Sequence, residues 1–409
     1  KIENELGEKE TINMVDTAED LQQIINEIEN GESGNIALGG DIDLNDLLGA
    51  GILSTRAAEP TYGLLIPAGK SVVLDLQGYT ISQSKECKAS YSMIQNNGNL
   101  TIIDSSEAKS GKISFKDTSA GDPTFGWGSY TISNYDGTLV VENGTIEHLG
   151  EQNKGNGEPN CHMYCALFQY NGSTIVNGGK ISTPTYRSAR LWSGNMTING
   201  GNFEGQLWLQ AVDNTSNLTI NGGTFAPRGN DSSSVFVTNS SYEVAFAVTG
   251  GHFTTKIGAS KPFGCITGGT FTTEAKEGTN TSLINDGYTW AETENGLWTV
   301  AKAYELTEEG ATIYSKGGMF WFANEVNSGA NYFKGKTIKL GADIDLNNAE
   351  WTPIGSAYKD HGFMGNFDGN GKVIKNLNIT ALTPDVVFVA IVDKAPLLFT
   401  INIFILLSA

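Results

Sequence analysis

Three segments decide how this chain folds: Ser173-Thr-Ile-Val-Asn-Gly-Gly-Lys-Ile181, Asn195-Met-Thr-Ile-Asn-Gly-Gly-Asn-Phe203 and Asn217-Leu-Thr-Ile-Asn-Gly-Gly-Thr-Phe225. They superpose at steps of 22 residues. Each alternates polar and apolar residues, breaks at Gly-Gly, and ends on a large apolar residue. Period-two alternation marks a strand with one buried face. The glycine pair supplies backbone angles that other residues avoid. A unit this short cannot bury its apolar face alone, so stacked copies must share one core. The expected fold is all-β, a right-handed parallel β-helix in which each repeat of about 22 residues is one coil. Weaker copies extend the array through Asn99-Leu-Thr-Ile-Ile-Asp104, Thr138-Leu-Val-Val-Glu-Asn-Gly-Thr-Ile146, Val248-Thr-Gly-Gly-His-Phe253 and Ile266-Thr-Gly-Gly-Thr-Phe271. Asn177, Asn199 and Asn221 share one repeat position, where stacked amides can form a hydrogen-bonded ladder.

Composition agrees with this reading. The 409 residues are 39% hydrophobic and include 50 glycines, a profile of short strands and tight turns. Asp and Glu outnumber Lys and Arg by 45 to 26, a formal charge of −19. That charge repels phosphate backbones and anionic lipid, so neither nucleic acid nor membrane insertion is expected. The four cysteines, Cys87, Cys161, Cys165 and Cys265, are too scattered for a disulfide framework. Residues 1–10 are polar and read as a linker; no signal peptide is visible, so export is inferred.

The repeats are bracketed by caps. Thr17 and Asp20 offer helix-capping chemistry ahead of Leu21, Ile24, Ile25 and Ile28, spaced for an amphipathic helix. Strands are expected in Ile36-Ala-Leu-Gly-Gly-Asp-Ile-Asp-Leu-Asn45 and in Val72 to Ile81. Tyr288 to Val300 reads as two alternating runs around Asn295-Gly296, a hairpin that closes a first module over 11–300. The opening then recurs: Met319, Phe322, Ala323 and Val326 at helical spacing, followed by Ile338-Lys-Leu-Gly-Ala-Asp-Ile-Asp-Leu-Asn347. Residues 301–409 are therefore expected to form a second, shorter β-helical module.

The helix, the Gly-Asp-Ile-Asp-Leu-Asn strand and Phe363-Met-Gly-Asn-Phe-Asp-Gly-Asn-Gly-Lys-Val-Ile-Lys-Asn-Leu-Asn-Ile379 together resemble repeat-rich surface proteins of gut Bacteroidetes and Firmicutes. The resemblance implies a pectin-lyase-like β-helix and a secreted or cell-surface location. Many such proteins are described as adhesins, and these motifs are architectural, so they say little about activity. The chain departs from the pattern after Thr380, in apolar runs at 386–392 and 397–407. Both are shorter than a membrane helix requires.

Aligning the coils on the Gly-Gly turn places 131–135, 166–170, 188–192, 206–210 and 234–238 at one position. Alternation then turns Ala189, Leu191, Leu207, Leu209, Val235 and Val237 inward. Phe168, Arg190, Trp208 and Phe236 form one outward column; Tyr135, Tyr170, Trp192 and Gln210 form the next. An aromatic platform of this kind suits the apolar faces of sugar rings, with Arg and Gln available for hydroxyls. Two insertions, 116–130 and 150–165, leave at the same turn and carry Asp122, Trp127, Glu158 and His162.

Other chemistries fit less well. Cys161-His-Met-Tyr-Cys165 lacks the paired spacing of a zinc site and reads as a local disulfide or as two thiols. No cofactor is expected. A polysaccharide lyase would need acids gathered beside Arg187 or Arg190, but Glu204, Asp213 and Asp231 occupy different repeat positions. A glycosidase would need two paired carboxylates, and Glu142 and Glu204 do not share a position. Asp41 with Asp43, and Asp343 with Asp345, suit either calcium or a solvated strand end. The expectation is a non-catalytic surface protein that binds a carbohydrate or host-surface molecule through Tyr135, Phe168, Tyr170, Arg190, Trp192, Trp208, Gln210 and Phe236, bordered by Trp127 and His162. The alternatives are a lyase or glycoside hydrolase of acidic glycans, and a structural spacer.

Overall fold

The computed structural model describes residues 2–3, 9–10, 12–49, 61–87, 89–119, 128–150, 164–210, 212–213, 215–227, 233–238, 244–261, 264–354 and 362–379. The apolar runs at 386–392 and 397–407 lie outside them. The structure is mostly strand, with long parallel sheets. Two compact units, 1–283 and 284–409, divide the chain.

In the first unit a nine-stranded sheet runs from Ile12–Val15 through Ser33–Leu38, Ser71–Asp75, Asn99–Ile103, Thr138–Val141, Ser173–Val176, Asn195–Ile198 and Asn217–Ile220 to Ala245–Val248. Neighbours pair in parallel, with Ser173, Asn195 and Asn217 opposite one another as the repeat predicts. Inward residues such as Leu100, Leu139, Met196 and Leu218 are buried. Outward residues include two files in register, Ser71, Asn99, Thr138, Ser173, Asn195, Asn217, Ala245, and Val73, Thr101, Val140, Ile175, Thr197, Thr219, Ala247, with Asp75 and Ile103 at a third outward position.

Across the Gly-Gly turn a second parallel stack begins, and one position in it holds a buried apolar residue in every coil. That residue is Ile42, Ile81, Ile113, Ile146 and Ile181 in the early coils, then Phe203, Phe225, Phe253 and Phe271. The two glycines have separate jobs. A Cβ on Gly222 would sit 2.3 Å from the Asn199 carbonyl oxygen of the coil below, whereas Gly223 adopts φ +93°, which disfavours any side chain. The predicted amide ladder is present: Asn221 donates to Asn199 (2.9 Å), Asn199 to Asn177 (2.8 Å) and Asn177 to Glu142 (2.9 Å).

The N-terminal helix spans Ala18–Glu27, and Thr17 Oγ1 accepts the Asp20 N–H at 3.1 Å. Leu21 and Ile25 are fully buried, Ile24 and Ile28 half-buried. Gln22 closes the end of the stack. Its side-chain amide donates to Leu65 O (3.1 Å) and accepts from Leu65 N (2.9 Å), as a neighbouring strand would.

In the second unit Tyr288–Glu292 and Trp298–Lys302 pair antiparallel around Gly296, so the hairpin forms and falls with this unit, beyond the boundary at 283. The helix Lys316–Asn327 buries Met319, Phe322, Ala323 and Val326 against Ile338, Leu340, Ile344, Leu346 and Trp351. The Asp-Ile-Asp motif does the same work in each unit. Asp41 Oδ1 accepts the Thr80 N–H (2.8 Å) and Asp343 Oδ1 the Val373 N–H (3.0 Å), each fastening the strand that follows. Asp43 and Asp345 accept from the backbone of Asn45 (3.0 Å) and Asn347 (2.8 Å), forming local turns.

Candidate functional site

A third parallel stack completes each coil of the first unit and carries the residues expected to bind. Phe168, Arg190, Trp208 and Phe236 lie opposite one another in register, as alternation requires, and the flanking Ala189, Leu191, Leu207, Leu209, Val235 and Val237 are fully buried. The second column also assembles. Tyr135 and Tyr170 stack at 5.0 Å, Tyr170 and Trp192 lie 5.4 Å apart, and the Trp192 indole donates to Gln210 Oε1 at 3.3 Å.

Exposure differs within the first column and corrects the picture of one open platform. Phe168 and Arg190 are only 2% and 1% exposed. The Tyr130 ring stacks on Phe168 at 4.3 Å, and the Arg190 guanidinium lies among Phe168, Trp192 and Trp208 at 5.4, 4.8 and 5.0 Å while donating to Gln210. Arg187 covers the Trp208 ring at 3.5 Å, and the Trp208 indole is committed to Thr238 Oγ1 at 2.9 Å. Phe236 rests against the backbone left bare by Gly258. The first column is therefore closed at Phe168 and Arg190, whereas Trp208 and Phe236 stay half-buried. Burial drives the Tyr130 hydroxyl pKa upward.

The second column stays open, with Tyr170 at 42% exposure and Tyr135 and Trp192 half-buried. Tyr135 and Tyr170 stack with their planes 27° apart, so each ring covers one face of the other. Beyond them the chain rounds a corner at Asp136-Gly137 and Asn171-Gly172, forming an open groove of about 600 Å³ whose lining includes Asp136, Asn171, Asn195, Thr215 and Asn217. Asn171 donates to Asp136 at 2.9 Å. Asp213, held by Ser193 (2.8 Å) and Thr215 (2.7 Å), has its carboxyl pKa lowered chiefly by the Thr215 hydroxyl. Val212, exposed beside Trp192, extends the apolar rim.

This corner is held from inside by residues that the sequence reading passed over. Asn96, Asn134 and Gln169 are fully buried in a file whose later members are Leu191, Leu209 and Val237. Asn134 Nδ2 donates to Gly137 O (3.0 Å), Ser173 O (2.8 Å) and Gln169 Oε1 (3.0 Å); Asn96 donates to Thr138 O (3.1 Å) and to Asn134. Buried amides thus satisfy the turn carbonyls that shape the groove. The available signal was a run of amides at inward-facing positions.

The insertions are rooted in a second buried cluster. His148 Nδ1 accepts the Gly150 N–H (3.0 Å), which leaves Nε2 facing Ser129 Oγ (3.0 Å), and the ring stacks on Tyr164 at 5.3 Å. Burial pushes the His148 pKa down to about 4, against a smaller upward pull from Asp117. Trp127, His162, Asp122, Glu158 and Cys161 lie outside the described residues. Cys165 is a free thiol whose pKa burial drives up to about 12. Glu204 pairs with Lys180 at 2.8 Å. Among the described residues, no three His, Cys, Asp or Glu side chains are grouped to hold a metal ion, and no helix is long and apolar enough to cross a membrane. Comparison with family models, with curated proteins and with solved structures finds no match for this chain.

Proposed function

We propose that the first unit is a right-handed, pectin-lyase-like parallel β-helix of a secreted or cell-surface protein, and that it acts as a non-catalytic adhesin for carbohydrate. The ligand sits along the edge of Tyr135, Tyr170 and Trp192 and reaches into the groove at Asp136 and Asn171. One observation carries the reading: the column of Tyr135, Tyr170 and Trp192, with Tyr170 exposed, runs beside a groove rich in hydrogen-bonding groups, while Phe168 and Arg190 of the neighbouring column are buried. Aromatic rings supply apolar contact, while amides and hydroxyls supply directional bonds to sugar hydroxyls. Phe168 and Arg190 support the ligand-facing column from beneath.

A glycan-array screen of wild type against a Tyr170→Ala, Trp192→Ala double variant tests this. The variant should lose at least about tenfold in affinity, or ~1.4 kcal/mol, for whichever sugar the wild type binds. Equal binding by both proteins removes the column from the site. Release of unsaturated sugar ends from an acidic polysaccharide would replace adhesion with lyase activity.

A further inference from the structure

We propose that the outward face of the nine-stranded sheet is a docking surface for an ordered, uncharged polysaccharide, a solid polymer face and not a dissolved chain. This rests on the carbohydrate reading above and names the physical state and charge of the ligand. The groove and this face are continuous, because Thr138, Ser173, Asn195 and Asn217 line the one and belong to the first outward file of the other.

Charge is the first argument. Neither of these two files holds an acid or a base among the strands from Ser71–Asp75 to Ala245–Val248, in a chain with 45 acidic and 26 basic residues; the acids Asp75 and Glu142 stand at the next outward position, along the edge at the Gly-Gly turn. The neighbouring stack shows what ordinary solvated positions look like here, since it carries the pairs Lys112–Glu147 and Lys180–Glu204. A charged side chain pressed against an uncharged partner would lose hydration without compensation, so the lack of charge suits a neutral ligand. The formal charge of −19 and the missing cations both oppose an acidic one.

Order is the second. Thr101, Val140, Ile175, Thr197 and Thr219 are β-branched and stiff at χ1. Asn217 donates to Asn195 at 2.7 Å, which fixes those amides as well. The parallel pairings keep one register, so hydroxyls, methyls and amides recur at the strand spacing of about 4.8 Å. Such a face loses little entropy on binding, but only a ligand that is itself periodic and rigid can meet many rungs at once. A second copy of the chain would bring another strongly acidic body against the first.

The test is co-sedimentation of the full chain with microcrystalline cellulose and with crystalline chitin, beside binding of soluble oligosaccharides. Wild type should pellet with at least one neutral solid. A Thr197→Lys, Thr219→Lys variant should lose more than about tenfold of that binding while keeping its soluble-sugar affinity and its melting temperature. Thr101→Lys, on a distant strand, repeats the test if the pair fails to fold. The proposal falls if the lysine variants pellet like wild type, or if wild type pellets only with cross-linked polygalacturonate. It also falls if sedimentation equilibrium shows a dimer that the lysines abolish. Soluble-sugar binding with no pelleting sinks this proposal and leaves the corner site standing; binding of neither sinks both.

Discussion

The first unit carries two aromatic files, one inside the second parallel stack and one at the end of the third. Phe203, Phe225, Phe253 and Phe271 lie 4.9, 5.0 and 4.9 Å apart with planes within 21° of parallel, each fully buried. Tyr135, Tyr170 and Trp192 lie 5.0 and 5.4 Å apart with planes at 27° and 47°. Each inner ring follows an identical Gly-Gly turn and is confined on all sides, so the strand spacing sets its geometry. The outer rings have open water on one side and follow coils of unequal length. An inner ring therefore answers to stability, whereas an outer ring can be adapted to a ligand.

Several substitutions can break or sharpen this contrast. The largest effect should come from Phe225→Ala, which empties the middle of the inner file and should cost about 3–5 kcal/mol in chemical denaturation. A much smaller loss would mean that the inner stack can collapse around a missing ring. Asn134→Leu copies the residue type found at Leu191 and should cost about 2–3 kcal/mol, because the carbonyls of Gly137 and Ser173 lose a buried donor. It should also disorder the corner and weaken the outer site.

Acid gives the next test. His148 titrates near 6.5 when unfolded and near 4 when folded, so between those values the unfolded chain binds more protons. Stability should be complete above about pH 6.5, decline as pH falls towards 4, and change no further through this group below that. His148→Gln should flatten that part of the melting-temperature profile; an unaltered profile would assign the acid loss elsewhere. Asn199→Ala, in the exposed amide ladder, should cost only about 1 kcal/mol. Smallest of all, Tyr170→Ala should change stability by less than about 0.5 kcal/mol while reducing ligand affinity. A large fall in melting temperature would make the outer file structural too.

Much of this architecture was legible in the residues. The step between Asn177, Asn199 and Asn221 placed their amides in a ladder, and alternation around Arg190 and Trp208 assigned every inward partner correctly. Burial was less legible. Outward direction on a strand predicted exposure for Phe168 and Arg190, yet both are covered by rings and by a guanidinium from neighbouring coils. The corner amides Asn96, Asn134 and Gln169 went unread because an inward Asn is ambiguous until its carbonyl partners are located in space.

By itself, then, the sequence determined the coil period, the register and the side of the sheet each residue occupies, since these depend on local alternation and on glycines that no other residue can replace. Tertiary structure alone decided which outward residues meet water and which buried polar atoms find partners. Both depend on side chains from different coils approaching within a few ångströms, and no spacing along the chain records that distance.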